Sequence, residues 1–195
     1  MAEISFSILR VILLDRDGVI NHEPGPILKP EQFTMIRGSA DAIARINSKG
    51  WKCFVITNQS AIARGDLSEE VFELITNKMH FELKKSGAYI DGQYFCPHHP
   101  DWKNGCRQKK PIKCSCRKPG TRMLEKASSD HGFVPEEAVF IGDTTTDFGA
   151  AADWGTCSIG VRTGWAGQDG KMSVFPDYWS DDLKSAVDFL LHNTA

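Results

Sequence analysis

Four apolar residues, Val11-Ile12-Leu13-Leu14, run without a polar break and stop at Asp15. A continuous apolar run of that length predicts a strand covered on both faces, as in a parallel sheet. Trp51 to Ile56, the pair Tyr94-Phe95, Ala138 to Ile141, and Cys157 to Val161 repeat the pattern, so five strands are predicted. Between them the apolar positions recur at helical spacing. Ser39 opens one such stretch, which ends near Gly50 and turns Ile43 and Ile46 inward. Ser68 opens the longest, with Glu69 and Glu70 in its first turn, Lys84 and Lys85 in its last, and Val71, Phe72, Ile75, Met79 and Leu83 as a core stripe. Further helices are predicted from about Thr121 to His131, from Gly142-Asp143 to Trp154, and over the segment carrying Leu183, Ala186, Val187 and Leu190. Strands alternating with helices predict an α/β fold built on a parallel sheet.

A chain of 195 residues accommodates one full core, so a single domain over 1–195 is expected, with residues 96–119 as an irregular insertion. A net charge of −2 gives no general attraction to nucleic acid or anionic membrane. The apolar stretch from Ile4 to Leu14 contains Arg10, follows Glu3, and is too short to span a bilayer. A cytoplasmic, monomeric protein is expected, with no membrane and no nucleic-acid partner. In that compartment the six cysteines point to thiols or metal ligands rather than disulfides.

The chemistry gathers at strand ends. Asp15 and Asp17 follow the first strand, Thr57 and Asn58 the second, Arg117 and Lys118 the insertion, and Asp143 and Asp147 the fourth strand. In parallel sheets these ends share one edge, where ligands bind. Paired carboxylates there can hold a divalent cation; Asp15 can attack phosphorus, and Asp17 can exchange a proton with the leaving oxygen. Taken singly, each motif has a plainer reading: Asp15-Arg16-Asp17-Gly18 as an acidic turn or calcium-loop fragment, Thr57-Asn58 as a turn, Lys118 as a solvated lysine, Asp143 as a helix cap.

In this order the motifs resemble those of the haloacid dehalogenase superfamily of phosphatases, along nearly the whole chain. The resemblance implies a three-layer α/β sandwich with a doubly wound, mostly parallel sheet. It implies that Asp15 is phosphorylated, that Asp17 is general acid and then base, and that Thr57 and Lys118 hold phosphoryl oxygens. It assigns Mg²⁺ to Asp15, Asp143 and the backbone carbonyl of Asp17. Asp147 then pairs with Lys118 or a metal-bound water, or only occupies the first helical turn.

Cys96-Pro97-His98 and Cys114-Ser115-Cys116, with fifteen residues between them, form two soft ligand pairs suited to a closed tetrahedral Zn²⁺. Such a site is structural and stiffens the loop. Cys106 is a candidate substitute ligand and His99 a competitor of His98, while Cys53 and Cys157 are expected to be core thiols. Lys103, Arg107, Lys109, Lys110, Lys113, Arg117 and Lys118 give this loop a positive excess. That excess is either ordinary solvated charge or an attraction for a substrate bearing more than one phosphate.

Within the superfamily the chain is similar to the small, capless, zinc-bearing branch of heptose bisphosphate and histidinol-phosphate phosphatases. Asp15 to Asn21, Thr57 to Gly65, Cys96 to Pro100, Arg117-Lys118-Pro119 and Val161 to Gly164 favour the heptose side. By this resemblance Asn58, Gln59, Ser60, Arg117 and Thr144 contact a sugar phosphate. Gly25-Pro26, Ala61 and Thr144 depart from the branch's usual residues. Two other readings are a binding protein that has lost catalysis, opposed by the retention of Asp15 and Asp17, and a nucleic-acid-binding zinc ribbon, opposed by the net charge.

Overall fold

The computed structural model describes residues 8–100 and 114–194. Six strands form one sheet in the order β3-β2-β1-β4-β5-β6. They are β1 (Val11–Leu14), β2 (Lys52–Asn58), β3 (Gly92–Cys96), β4 (Ala138–Gly142), β5 (Cys157–Val161) and β6 (Tyr178–Ser180), and every neighbouring pair is parallel. The helices are α1 (Ser39–Ser48), α2 (Ser60–Arg64), α3 (Glu69–Lys84), α4 (Arg122–His131), α5 (Thr145–Trp154) and α6 (Leu183–Asn193).

The central strand shows why its sequence had to be apolar throughout. Ile12 and Leu14 face a core built with Ile43 and Ile46 of α1, Phe72 and Ile75 of α3, and Leu183 and Val187 of α6. Val11 and Leu13 face the opposite core, with Met123 and Leu124 of α4 and Ala150 and Ala151 of α5. Helices therefore cover both faces, which gives the three-layer α/β sandwich. The chain builds β1, β2 and β3 outward in one direction, then returns to place β4 on the other flank of β1. Order reverses between β1 and β4, so a crevice opens beyond their carboxyl ends.

Ser68 caps α3, its hydroxyl accepting from Val71 N at 3.2 Å, and Phe72, Ile75, Met79 and Leu83 are buried as the stripe predicts. Ser39, however, does not cap α1. Gly38 holds that position at φ 86°, and Ser39 is the first helical residue. Its hydroxyl donates instead to the carbonyl of Val19 at 3.2 Å, fastening α1 to the loop after β1. Asp143 does not cap α5 either; the cap is Thr144. Strand β6 and helix α2 are additions to the sequence-based scheme. A three-residue edge strand and a five-residue helix are too short to show a period. Among the described residues no helix is long and apolar enough to cross a membrane.

Candidate active site

Asp15 is the first residue beyond β1, and its backbone N–H continues the ladder to the carbonyl of Ile141 at 3.0 Å. That bond fixes where its side chain begins. Oδ1 accepts from the N–H of Arg16 at 2.7 Å and lies 3.0 Å from Nζ of Lys118. The same Nζ is 2.7 Å from Oδ1 of Asp147 and donates to the carbonyl of Ile56 at 2.8 Å. The ammonium thus donates to one backbone carbonyl and is ion-paired with both carboxylates. Lys118 is buried, which would lower its pKa, but Asp147 and Asp15 outweigh burial and raise it. For Asp15 burial dominates: opposed by Lys118 and reinforced by Asp147 and Asp17, it brings the carboxyl up to about 7.

Lys118 is also held through its backbone. Its N–H donates to Oδ1 of Asn58 at 3.1 Å, and Nδ2 of Asn58 donates to its carbonyl at 3.2 Å. Asn58, expected to touch substrate, spends its amide on positioning the lysine. Gln59 is similar. Its buried Nε2 donates to Oδ2 of Asp17 at 2.8 Å and to Oγ1 of Thr57 at 2.9 Å. Because the Thr57 hydroxyl oxygen accepts that bond, its hydrogen is left to donate to a ligand.

Asp17 is gripped on both oxygens. Arg16 donates from Nε at 3.1 Å and from one terminal nitrogen at 2.9 and 2.8 Å, and Asn21 donates at 2.9 Å. Burial raises the Asp17 pKa, but Arg16 and the bonds from Asn21 and Gln59 outweigh it, so the net shift is downward. The Arg16 side chain is itself buried, 1% exposed, and its guanidinium lies 5.5 Å from the Phe72 ring centroid. Sequence reasoning missed it because a charged residue between two acids reads as solvated.

The carboxylates of Asp15, Asp143 and Asp147 each offer an oxygen within 4.8 Å of the others. Asp143 has no exposed surface. Its Oδ2 accepts from the N–H of Trp165 at 2.7 Å, while its buried Oδ1 has no hydrogen-bond partner among the described residues. Burial first, then Asp15 and Asp147, push its carboxyl up to about 9. Two glycines make the space. A Cβ on Gly18 would come within 2.3 Å of Oδ2 of Asp143, and one on Gly164 within 2.1 Å of the same atom. A buried unpartnered oxygen among three carboxylates, on a side chain packed against two glycines, has the donor chemistry for a hard divalent cation. Asp147 joins that group and also pairs with Lys118. Thr144, on the cleft wall, directs both its N–H and its hydroxyl to Oδ2 of Asp147, at 3.0 and 2.7 Å.

The cleft over these groups encloses about 150 Å³ and includes Asp15, Asp17, Thr57, Lys118 and Thr144 in its lining. Asn58, Ser60, Arg117 and four residues absent from the sequence-based set, Glu23, Thr146, Trp165 and Lys171, complete the wall. Trp165 and Lys171 follow β5, whose carboxyl end faces the same crevice, and that topological rule could have found them. Trp165 also bonds Glu23 through its side chain, and burial, then the nearby Asp17, raise the Glu23 carboxyl to about 7.

A second cluster lies beyond β3. Cys96 Sγ is 3.6 Å from Cys114 Sγ, 3.1 Å from Cys116 Sγ and 3.7 Å from Nδ1 of His98, and that nitrogen is 3.3 Å from Cys116 Sγ. Ligands about 2.3 Å from one tetrahedral ion stand on an edge of about 3.7 Å. The four atoms are thus close to what a single ion would hold, and the cluster contains His98 rather than His99. Burial raises the Cys114 thiol, but donors from the Arg117 backbone and its ligand neighbours bring it down to about 7. Cys53 is fully buried in β2 and Cys157 partly buried in β5. Cys106 and the basic residues Lys103, Arg107, Lys109, Lys110 and Lys113 lie outside the described residues.

Residues 115–186 match the HAD-hydrolase-like family model. The chain is 36% identical over 159 residues to D-glycero-beta-D-manno-heptose-1,7-bisphosphate 7-phosphatase of Haemophilus ducreyi, covering 80% of this chain and 85% of that one. The chain belongs to the haloacid dehalogenase-like hydrolase family. A relative from Thermosynechococcus vestitus, D-glycero-D-manno-heptose-1,7-bisphosphate 7-phosphatase, is 34% identical over 189 residues and spans 94% of this chain and 96% of its own. Among family structures, D,D-heptose 1,7-bisphosphate phosphatase from B. bronchiseptica, complexed with magnesium and phosphate, superimposes with a TM-score of 0.84 at 29% identity. It covers 94% of this chain and 99% of that one.

Proposed function

We propose that this single-domain protein is a Mg²⁺-dependent phosphatase that removes the 7-phosphate of D-glycero-D-manno-heptose 1,7-bisphosphate. We further propose that it acts as a cytoplasmic monomer with a structural Zn²⁺ at Cys96, His98, Cys114 and Cys116. The observation that carries the reaction class is the setting of Asp15: a buried carboxylate at a strand end, anchored by Lys118 through one oxygen, in a cleft with Asp17 and Thr57. The names of the relatives support the sugar.

Asp15 is the nucleophile. Since Oδ1 receives both the Arg16 N–H and Lys118, Oδ2 is the oxygen available to attack phosphorus in line with the leaving alkoxide. An aspartyl phosphate forms and the sugar oxygen departs with a proton. Asp17 supplies that proton and takes one from the water that later cleaves the acyl phosphate. The Arg16 pairing favours the anionic form of Asp17, which suits the second half. Thr57 donates its free hydroxyl hydrogen to a phosphoryl oxygen. Mg²⁺ held by Asp15, Asp143 and the backbone of Asp17 would neutralise charge developing on the phosphoryl oxygens. Asp147 and Asn58 keep Lys118 in place. Arg117, on the cleft wall with one terminal nitrogen donating to the carbonyl of His98, would bind a remote anionic group, linking the sulfur cluster to recognition.

The test is a panel of sugar mono- and bisphosphates and histidinol phosphate assayed with Mg²⁺, alongside Asp15→Asn. The proposal expects the heptose bisphosphate to have the highest kcat/KM, and Asp15→Asn to lose turnover by at least about 10³-fold with an unchanged circular dichroism spectrum. A folded Asp15→Asn variant with near-wild-type turnover would remove the aspartyl-phosphate route.

A further inference from the structure

The cations at the reacting end of the cleft are already committed. Lys118 donates to the Ile56 carbonyl and is ion-paired with Asp15 and Asp147, and Arg16 is paired with Asp17. The wall also carries the carboxylates of Asp15, Asp17 and Glu23. Besides Arg117, the cleft wall carries one further cation among the described residues that can meet a second phosphate, Lys171.

Lys171 lies on the loop between β5 and β6, and both sides of that position are tied to the start of α5. Asp169 Oδ1 accepts from the N–H of Thr145 at 2.8 Å, and the N–H of Met172 donates to Oγ1 of Thr145 at 3.1 Å. The Met172 thioether fills the space beside Gly149, where a Cβ would come within 2.9 Å of it. The loop is thus seated on the helix whose first turn carries Asp147. The Asp169 side chain has no exposed surface, and its Oδ2 is without a hydrogen bond; Nζ of Lys171 stands 3.4 Å from that oxygen, and the lysine is 52% exposed. Asp169 orients the ammonium without consuming its donors. The result is a lysine with a fixed backbone and a half-exposed ammonium, ion-paired with Asp169 and within electrostatic reach of Glu23, on the cleft wall with Trp165.

We propose that Lys171 is a specificity-determining residue that binds the remote phosphate of a sugar bisphosphate. This rests on the phosphatase reading above and deepens it. Lys171 acts on binding and orientation and takes no part in bond breaking, so its contribution appears only for substrates that carry a second anion.

The experiment measures kcat/KM for the heptose 1,7-bisphosphate and for p-nitrophenyl phosphate in wild type, Lys171→Ala and Lys171→Arg, with melting temperature recorded for each. The ratio of bisphosphate to aryl phosphate should fall about tenfold or more in Lys171→Ala, the worth of one charge-assisted contact. The loss should lie mainly in KM, and Lys171→Arg should restore most of the ratio. Inhibition by the product sugar 1-phosphate should weaken in parallel. A wild-type preference for the bisphosphate that survives Lys171→Ala overturns this assignment alone. A wild type that shows no preference for any bisphosphate overturns it together with the proposed substrate.

Discussion

Asn58 and Lys118 hold each other through a reciprocal pair of hydrogen bonds, side-chain amide to backbone, at 3.1 and 3.2 Å. The pair ties the end of β2 to the segment that follows the sulfur cluster. The ammonium of Lys118 can reach Asp15 and Asp147 together only because its backbone is fixed from the neighbouring strand. Phosphoryl transfer depends on such positioning, since most of the catalysis is alignment and charge.

Asn58→Ala removes both bonds, and partly buried backbone groups lose about 1 kcal/mol for each. The expected outcome is a fall in kcat of about 10- to 100-fold with a small change in KM, because a loosened Lys118 misplaces the nucleophile rather than the substrate. Steady-state kinetics decides it. A rise in KM with kcat preserved would instead make Asn58 a substrate contact.

The carboxylate cluster predicts a coupling between pH and magnesium. Asp15 and Asp143 are raised to about 7 and about 9 in the folded protein, against 3.8 when exposed. The folded state therefore binds more protons than the unfolded chain between those values. Stability from these groups is present below about pH 4 and is lost as pH rises toward 9. Asp17, whose pKa is lowered, acts in the opposite sense and loses its contribution only in acid. A cation that replaces the protons should raise the melting temperature more at pH 8 than at pH 5.5. Melting curves with and without Mg²⁺ check this, and equal shifts at both pH values would contradict it. Gly164→Ala, whose Cβ would fall 2.1 Å from Oδ2 of Asp143 at φ +65°, should abolish the magnesium-dependent shift.

Much of this arrangement was legible in the chain. Apolar runs such as Val11 to Leu14 are unambiguous because both faces of a central parallel strand are covered. Asp15 and Asp143 then follow from the rule that ligands bind at carboxyl ends of strands. What the pattern hid was the division of labour. Asn58 and Gln59 look like substrate contacts in sequence, yet their amides are spent on Lys118, Asp17 and Thr57. Arg16 is buried by a bidentate pairing that no periodicity records. Glu23, Trp165 and Lys171 sit on loops whose tertiary placement depends on contacts distant in sequence, such as Trp165 with Asp143.

The sulfur cluster makes a separable prediction. Protein purified without added metal should contain about one zinc per chain, and Cys114→Ser should lose it, because a closed structural site needs all four ligands. Because Arg117 bonds the carbonyl of His98, the variant should also raise KM for the bisphosphate. Elemental analysis with kinetics provides the check. Full activity without zinc would remove the metal from the account.

The central claim is that Asp15 transfers one particular phosphate of a heptose bisphosphate. Its most direct test is to follow the wild-type reaction with D-glycero-D-manno-heptose 1,7-bisphosphate and Mg²⁺ by phosphorus NMR. The account predicts that the signal of the 7-phosphate disappears as inorganic phosphate grows, while the anomeric 1-phosphate remains on the sugar. Loss of the 1-phosphate first, or turnover of histidinol phosphate in preference to the bisphosphate, would contradict it.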